Sequence, residues 1–320
     1  MATRVLLGVA VIAIVIIVVA PSFGSTTRLP DDSRAALSVV DQPTKPDSTS
    51  SSRRPAATVS SDSQTIAPIE DFRIRIAAAG DVGTGDEEAY ATAAAVDDVD
   101  EREDYAALLL LGDNVYDDGD PAELDRTIFE PFGPILDGQT QLLAVLGNHD
   151  VRDGHGPAHA EAIGMPNAWY STRIGDVLVV SLDSNRPHDT SQLAFLEATL
   201  SESDATWVIA TMHHPPFSAG FHGPDDEVRK AFTPAFEQHG VDLVLSGHEH
   251  DYQRFEPLGG VTYIISGAGA KLRNTDVNDR TAAATSTRHF LDLVVERDSL
   301  TVRAVDQSGV VFDTVVLEPR

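Results

Sequence analysis

Five short apolar runs, each ending in glycine or histidine followed by a polar group, do most to restrict how this chain can fold. RIRIAAAGD ends at Asp81, YAALLLLGD at Asp113, LLAVLGN at Asn148, WVIATMHH at His214 and VDLVLSGHEH at His250. Each apolar stretch has the length of a buried strand, not of a helix, and turn residues bound it. VLVVSLD is another of the kind, and VTYIISGAG, FLDLVVE, LTVRAVD and VVFDTVVLE make the C-terminal part rich in strand. Between them DEEAYATAAAV, PAELDRTIFEPF, TSQLAFLEATL and DDEVRKAFTPAF carry amphipathic or alanine-rich patterns, several opened by Asp, Pro or Thr, and predict helices. Alternation of this sort builds an α/β domain with helices outside its sheets.

The strand ends matter because in open α/β sheets they converge on one rim, where ligands bind. Glycine before the polar residue permits a tight turn and close backbone approach. Asp81, Asp113, Tyr116, Asn148, His149, His213, His248 and His250 are therefore expected to meet, offering carboxylate, phenol, amide and imidazole donors. Singly, each has a plain structural reading: an aspartate after a strand caps a helix or a turn, and a tyrosine packs. The full series in this order is what a common site explains better.

The 320 residues contain no cysteine, so any metal site must use oxygen and nitrogen donors. Lys and Arg balance Asp and Glu at six each over residues 1–70, which leaves 17 against 44 and the whole net charge of −27 on the remainder. Such a surface disfavours nucleic acid as a partner. It also fits a protein kept soluble in high salt.

After Arg4 an uninterrupted apolar run extends from Val5 to Ala20. Continued to Phe23 it would reach roughly 28 Å as a helix, close to the ~30 Å hydrocarbon core of a bilayer. Residues 1–21 are read as a transmembrane anchor, or else as a cleaved signal segment, although Pro21 would hinder cleavage after Ala20. Either way the remainder is exported: held at the cell surface, or secreted. Residues 22–70, rich in Ser, Thr and Pro, are expected to be a disordered tether, and residues 71–320 the folded domain.

The series GDVG, GDNVY, GNHD, ATMHH and GHEH resembles the five-block signature of calcineurin-like metallophosphoesterases, specifically the purple acid phosphatase branch, over most of residues 73–270. The wider superfamily begins with Asp-x-His, whereas Val82 and Gly83 follow Asp81 here; in the purple acid phosphatase branch a tyrosine three residues after the second aspartate fills the vacant position, and Tyr116 stands there. QLAFLEATL and ISGAG also resemble segments flanking the motifs of these enzymes. The resemblance implies a four-layer α/β/β/α sandwich of two mixed sheets flanked by helices. It implies two metal ions bridged by Asp113, one held by Asp81, Tyr116 and His250, the other by Asn148, His213 and His248. Ala210 departs from the family's usual valine. His213 and His214 leave the register open, and the family pattern selects His213, two residues before Pro215, with His214 facing substrate or supporting the ligands.

Two adjacent cations can hold a phosphate ester, supply hydroxide near neutral or acidic pH and neutralise charge in an in-line displacement. Carboxylate and phenolate suit a trivalent ion, the amide and imidazoles a divalent one. Iron is preferred only through the resemblance: Fe(III) with Fe(II), Zn(II) or Mn(II). The expected activity is hydrolysis of phosphate monoesters of small molecules by a monomeric acid phosphatase. The alternatives are phosphodiester or nucleotide hydrolysis at the same site, and a non-catalytic binding module. His149, without a metal in this assignment, is free to stabilise phosphoryl oxygens or protonate the leaving alkoxide, with Asp150 beside it to orient it. His222, on the Gly/Pro-bounded loop PPFSAGFHGP just after a ligand strand, is placed to reach substrate but reads first as a solvated histidine, and Lys271 and Arg273 after ISGAG are weaker candidates for phosphate contact. The remaining histidines, His155, His159, His188, His239 and His289, are read as surface or packing residues.

Overall fold

A computed structural model describes residues 72–136 and 138–320. The expected anchor at 1–21 and tether at 22–70 lie outside the described residues. Among the described residues no helix is long and apolar enough to cross a membrane.

Thirteen strands of the described residues form two mixed sheets. In the first, β1 (Arg73–Ala79), β2 (Ala107–Leu110) and β3 (Gln141–Ala144) run parallel, extended by antiparallel β11 (His289–Glu296), β12 (Leu300–Asp306) and β13 (Val311–Leu317) in the order β13-β12-β11-β1-β2-β3. The second has a parallel centre of β5 (Val177–Ser181), β6 (Trp207–Thr211), β7 (Leu243–Ser246) and β9 (Thr262–Ser266). Antiparallel β4 (Tyr170–Ile174), β8 (Tyr252–Phe255) and β10 (Thr281–Thr285) complete the order β10-β8-β9-β7-β6-β5-β4.

Side chains of both sheets share one core, in which Ile76, Leu108 and Leu110 meet Val177, Trp207, Ile209 and Leu245. The Trp207 indole also donates to the Glu296 carbonyl, tying β6 to β11 at 2.8 Å. Helices α1 (Glu87–Asp100) and α2 (Gly133–Leu136) pack with the first sheet through Ala93, Val96 and Ile135. Helices α4 (Thr190–Ser201) and α5 (Asp226–His239) cover the second through Leu196, Leu200, Val228, Phe232 and Phe236, forming a separate cluster. This is the four-layer sandwich that the sequence resemblance implied. A short helix α3 (Gly156–Ala162) follows β3.

Three of the four expected helices form, each opened by an aspartate whose carboxylate accepts from the first turn: Asp86, Asp189 and Asp225. PAELDRTIFEPF does not. It makes a 3₁₀ turn at Pro121–Glu123 and a wide π-type turn at Asp125–Phe129, closed by Glu130 N–H donating to the Asp125 carbonyl. Pro131 follows and has no N–H with which to continue a helical ladder.

Register delivers the site. Ala79, Leu110 and Ala144 pair across β1, β2 and β3, so the chain leaves all three strands at one level, just before Asp81, Asp113 and Asn148. Ser181, Thr211 and Leu245 likewise align across β5, β6 and β7, just before Ser184, His213 and His248. The leucines at 108–111 are at most 1% exposed, and each contributes roughly 1.5–3 kcal/mol of burial, which fixes the strand carrying Asp113.

Candidate metal centre

Asp81, Asp113, His248 and His250 all have positive φ, between 54° and 75°; among the described residues other than glycine, Asp153 alone shares it. Left-handed backbone costs a non-glycine residue of order 1–2 kcal/mol, and such strain gathers where side chains must be aimed. Two glycines make room for the result: a Cβ at Gly147 would fall 2.1 Å from Asp113 Oδ1, and one at Gly247 would fall 2.5 Å from Asp81 Oδ2.

Asp81, Tyr116 and His250 form one corner. The Tyr116 hydroxyl donates to Asp81 Oδ1 at 2.8 Å, and His250 Nε2 lies 3.2 Å from both oxygens. The other Asp81 oxygen accepts from the His248 amide at 2.8 Å. Asn148, His213 and His248 form the second corner, with Asn148 Oδ1 at 3.1 Å from His213 Nε2 and 3.0 Å from His248 Nδ1. Asp113 joins this corner, its Oδ1 3.4 Å from His213 Nε2, and the His149 amide donates to it at 2.9 Å. All seven donors named from the sequence are thus brought together.

The donor set fits cations. Asp81 and Asp113 are at most 1% exposed, and among the described residues neither meets a lysine or arginine. Burial opposes charge on Asp113, yet His213 holds its carboxyl well below the usual range; burial likewise opposes charge on His213, but Asp113 lifts it to about 10. A proton there occupies the place a metal would take. Burial and the neighbouring imidazoles keep His248 neutral, with a lone pair available. Burial, then the carboxylates of Asp81 and Asp113, push the Tyr116 phenol far up, so a phenolate here requires a cation at its oxygen.

His213 and His214 separate by their Nδ1 partners. His213 Nδ1 donates to the Leu111 carbonyl at 2.8 Å, which turns Nε2 towards Asp113 and Asn148. The Ser184 hydroxyl accepts from the His214 amide and lies 2.9 Å from His214 Nδ1. Ser184 is buried, and among the described residues its proton finds an acceptor only in that Nδ1, which leaves the His214 N–H on Nε2. Burial and His213 push His214 down to about 3, so it is a neutral donor. His213, His214 and His248 each offer a nitrogen within 4.8 Å of the others.

One expectation needs correction. Asp150 does not orient His149: its wholly buried carboxylate accepts from the Asn114, Val115 and Gly147 amides and the Asn114 side chain, at 2.8–3.1 Å. It braces the two loops that carry Asp113 and Asn148. His149 instead sets Nδ1 on the Asp117 carbonyl and accepts from Arg152 at Nε2, 3.2 Å away. Its ring meets Tyr116 edge-on, with centroids 4.5 Å apart.

His222 is exposed yet belongs to the site: its ring lies on that of His248 with centroids 4.2 Å apart, and burial and Arg273 depress its protonation. Lys271 Nζ sits 3.5 Å from the Tyr116 ring centroid and 3.6 Å from Asp117. Arg152, Ser184 and Glu249 were not singled out from the sequence, where each is an ordinary polar residue in a turn or strand end. His159 and His289 are buried, and His188 and His239 pair with surface glutamates, as packing and surface residues do. A cavity of about 860 Å³ between α3 and the turn at 183–186 contains none of the donors.

Residues 74–252 match the family pattern of the calcineurin-like phosphoesterase. Purple acid phosphatase 17 of Arabidopsis thaliana is 28% identical over 214 residues, 56% of this chain and 63% of that protein. Tartrate-resistant acid phosphatase type 5 of Oryctolagus cuniculus is 26% identical over 197 residues, 51% of this chain and 60% of that one. The chain therefore spans less than two thirds of either relative. The solved purple acid phosphatase of yellow lupin (Lupinus luteus) seeds shares the fold, with a TM-score of 0.69 at 18% identity over 78% of this chain and 54% of that one. With that pattern covering more than half its length and the motif residues gathered at the strand ends, the chain belongs to the calcineurin-like phosphoesterase family, with purple acid phosphatases among its relatives.

Proposed function

We propose that this chain is an exported dinuclear-metal phosphatase that hydrolyses phosphate monoesters of small molecules in the manner of an acid phosphatase. The observation that carries the reading is the convergence of Asp81, Asp113, Tyr116, Asn148, His213, His248 and His250 with their donor atoms facing one another. Asp113, between the corners, would be shared. Asp81, Tyr116 and His250 suit Fe(III); Asn148, His213 and His248 suit Fe(II), Zn(II) or Mn(II). Bound there, the ions would supply Lewis acidity towards phosphoryl oxygens and hydroxide at moderate pH.

The protein's own groups bind and orient. Arg152 presents a guanidinium beside His149 at the mouth, where phosphoryl oxygens would be met by charge-assisted hydrogen bonds. His214 offers a neutral N–H from the side of Ser184. His149, with Arg152 on Nε2, acts in this arrangement as the support of that guanidinium; a phosphate drawing Arg152 away would free Nε2 to receive a proton and pass it to the leaving alkoxide. Asp150 takes no part beyond holding the loops. The acidic balance of the chain weighs against nucleic acid, and a small anionic substrate would be met by the local cations Arg152 and Lys271. The apolar run at Val5–Ala20 supports export, with surface anchoring or secretion as outcomes. We take the acting unit to be a monomer.

The test is elemental analysis, an absorption spectrum and a phosphatase assay on the purified chain. Two metal ions per chain, a visible band absent in Tyr116→Phe, and a loss of at least about 10³-fold in kcat/KM with metal release in Asp113→Ala are expected. Faster turnover of bis(4-nitrophenyl) phosphate than of 4-nitrophenyl phosphate would make it a diesterase. Absence of both bound metal and turnover would defeat the reading in favour of a binding module.

A further inference from the structure

Phe221 is 76% exposed and Leu272 39%, an unusual outlay of apolar surface beside a cluster of charged and polar donors. Both line a single hollow of about 510 Å³, with Arg273, Asn274 and Ser286. We infer that this hollow is the leaving-group subsite and takes a flat aromatic ring, so that the favoured substrates are phosphate monoesters whose alcohol carries one. The inference rests on the phosphatase reading and names the substrate class of that site.

Three observations carry it. First, the hollow adjoins the donor cluster through packed side chains. The Phe221 ring meets His222 edge-on with centroids 5.2 Å apart, His222 lies on His248, and the Arg273 amide donates to the His250 carbonyl at 2.9 Å. An ester whose phosphoryl group sits at His248 would reach Phe221 across the His222 ring.

Second, the platform is fixed. Wholly buried Glu249 accepts from the Ser218 hydroxyl at 2.6 Å and the His222 amide at 2.9 Å, while Gln253 accepts from the Ala219 amide at 2.7 Å. Phe221 is thus held out by a braced loop and needs little ordering to bind.

Third, the surfaces are planar. The Arg273 guanidinium lies 5.2 Å from the Phe221 centroid and donates to His222, so one flat cation and one flat ring border the hollow. Rings stack on both, whereas an alkyl chain gains only area. The volume suits a small molecule rather than a protein segment.

Ethyl phosphate, benzyl phosphate and adenosine 5′-monophosphate all release primary alcohols, so their kcat/KM values compare subsites and not leaving-group basicity. The full-length chain should prefer benzyl over ethyl phosphate by roughly tenfold. That ratio should fall towards one in Phe221→Ala and in Leu272→Ala, with ethyl phosphate turnover and inhibition by inorganic phosphate unchanged. Adenosine 5′-monophosphate exceeding benzyl phosphate, with the excess lost in Asn274→Ala, would identify a nucleoside as the aromatic group. The reverse order would identify a simple aromatic alcohol. Equal turnover of ethyl and benzyl phosphate, or a ratio that survives both substitutions, overturns the inference while leaving the phosphatase intact. Turnover of none of the three overturns the phosphatase reading and this inference with it.

Discussion

Asp81, Asp113 and His213 stand at strand ends, at most 1% exposed, their rings and carboxylates pinned by backbone groups in the turns that follow other strands. The side chains of Arg152, His222 and Arg273, beside the same site, are at least partly exposed and meet histidine rings and the Asp117 carbonyl, while buried Glu249 anchors the His222 backbone. The donors are placed by the fold; these exposed side chains are placed by local contacts. The first should therefore resist change until the framework fails, and the second should be adjustable without cost to stability.

Asp150→Ala attacks that contrast most strongly. It leaves the buried amides of Asn114, Val115 and Gly147 without an acceptor, and should cost about 3–5 kcal/mol in urea unfolding, with loss of metal binding. A change below about 1 kcal/mol would show that the donor loops do not depend on this brace.

Acid tests the framework away from the donors. His289, wholly buried between the Ser266 hydroxyl and the Thr287 carbonyl, joins β11 to β9, and burial pushes it down to about 4. Above its ordinary value of 6.5 neither folded nor unfolded chain carries the proton, so it has no effect on stability there. As pH falls from 6.5 towards 4, only the unfolded chain takes it up, and stability declines by up to about 3 kcal/mol before levelling off. Denaturation at pH 7 and pH 4 should show that part of the decline missing in His289→Gln. Equal pH dependence in both proteins would remove His289 from the account.

The mouth should respond mildly. Arg152→Ala is expected to raise KM about fivefold, with kcat changed less and the urea midpoint unmoved. A large drop in stability would mean that the loop is as deeply built into the fold as the strand ends are.

The strand-end residues were legible because their signal is local: an apolar run of strand length, a glycine, then a donor. Where the signal depended on another segment, reading along the chain failed. Asp150 follows His149 directly, and adjacency suggested partnership, yet the turn after Asn148 directs its carboxylate inward to Asn114 and Val115, over thirty positions earlier. His222 looked like a loop residue because nothing nearby reveals that Glu249 anchors its loop. PAELDRTIFEPF had helical periodicity but a proline at the point where the wide turn must close.

From the sequence alone came the composition of the site, oxygen and nitrogen donors in a fixed order after buried strands, because burial and glycine placement act within a few residues. Tertiary structure alone decided which side chains support and which face outward: the brace at Asp150, the Ser184 partner that orients His214, and the exposed ring of Phe221. Those depend on distances between segments far apart along the chain, which the packing of two sheets sets and no local pattern encodes.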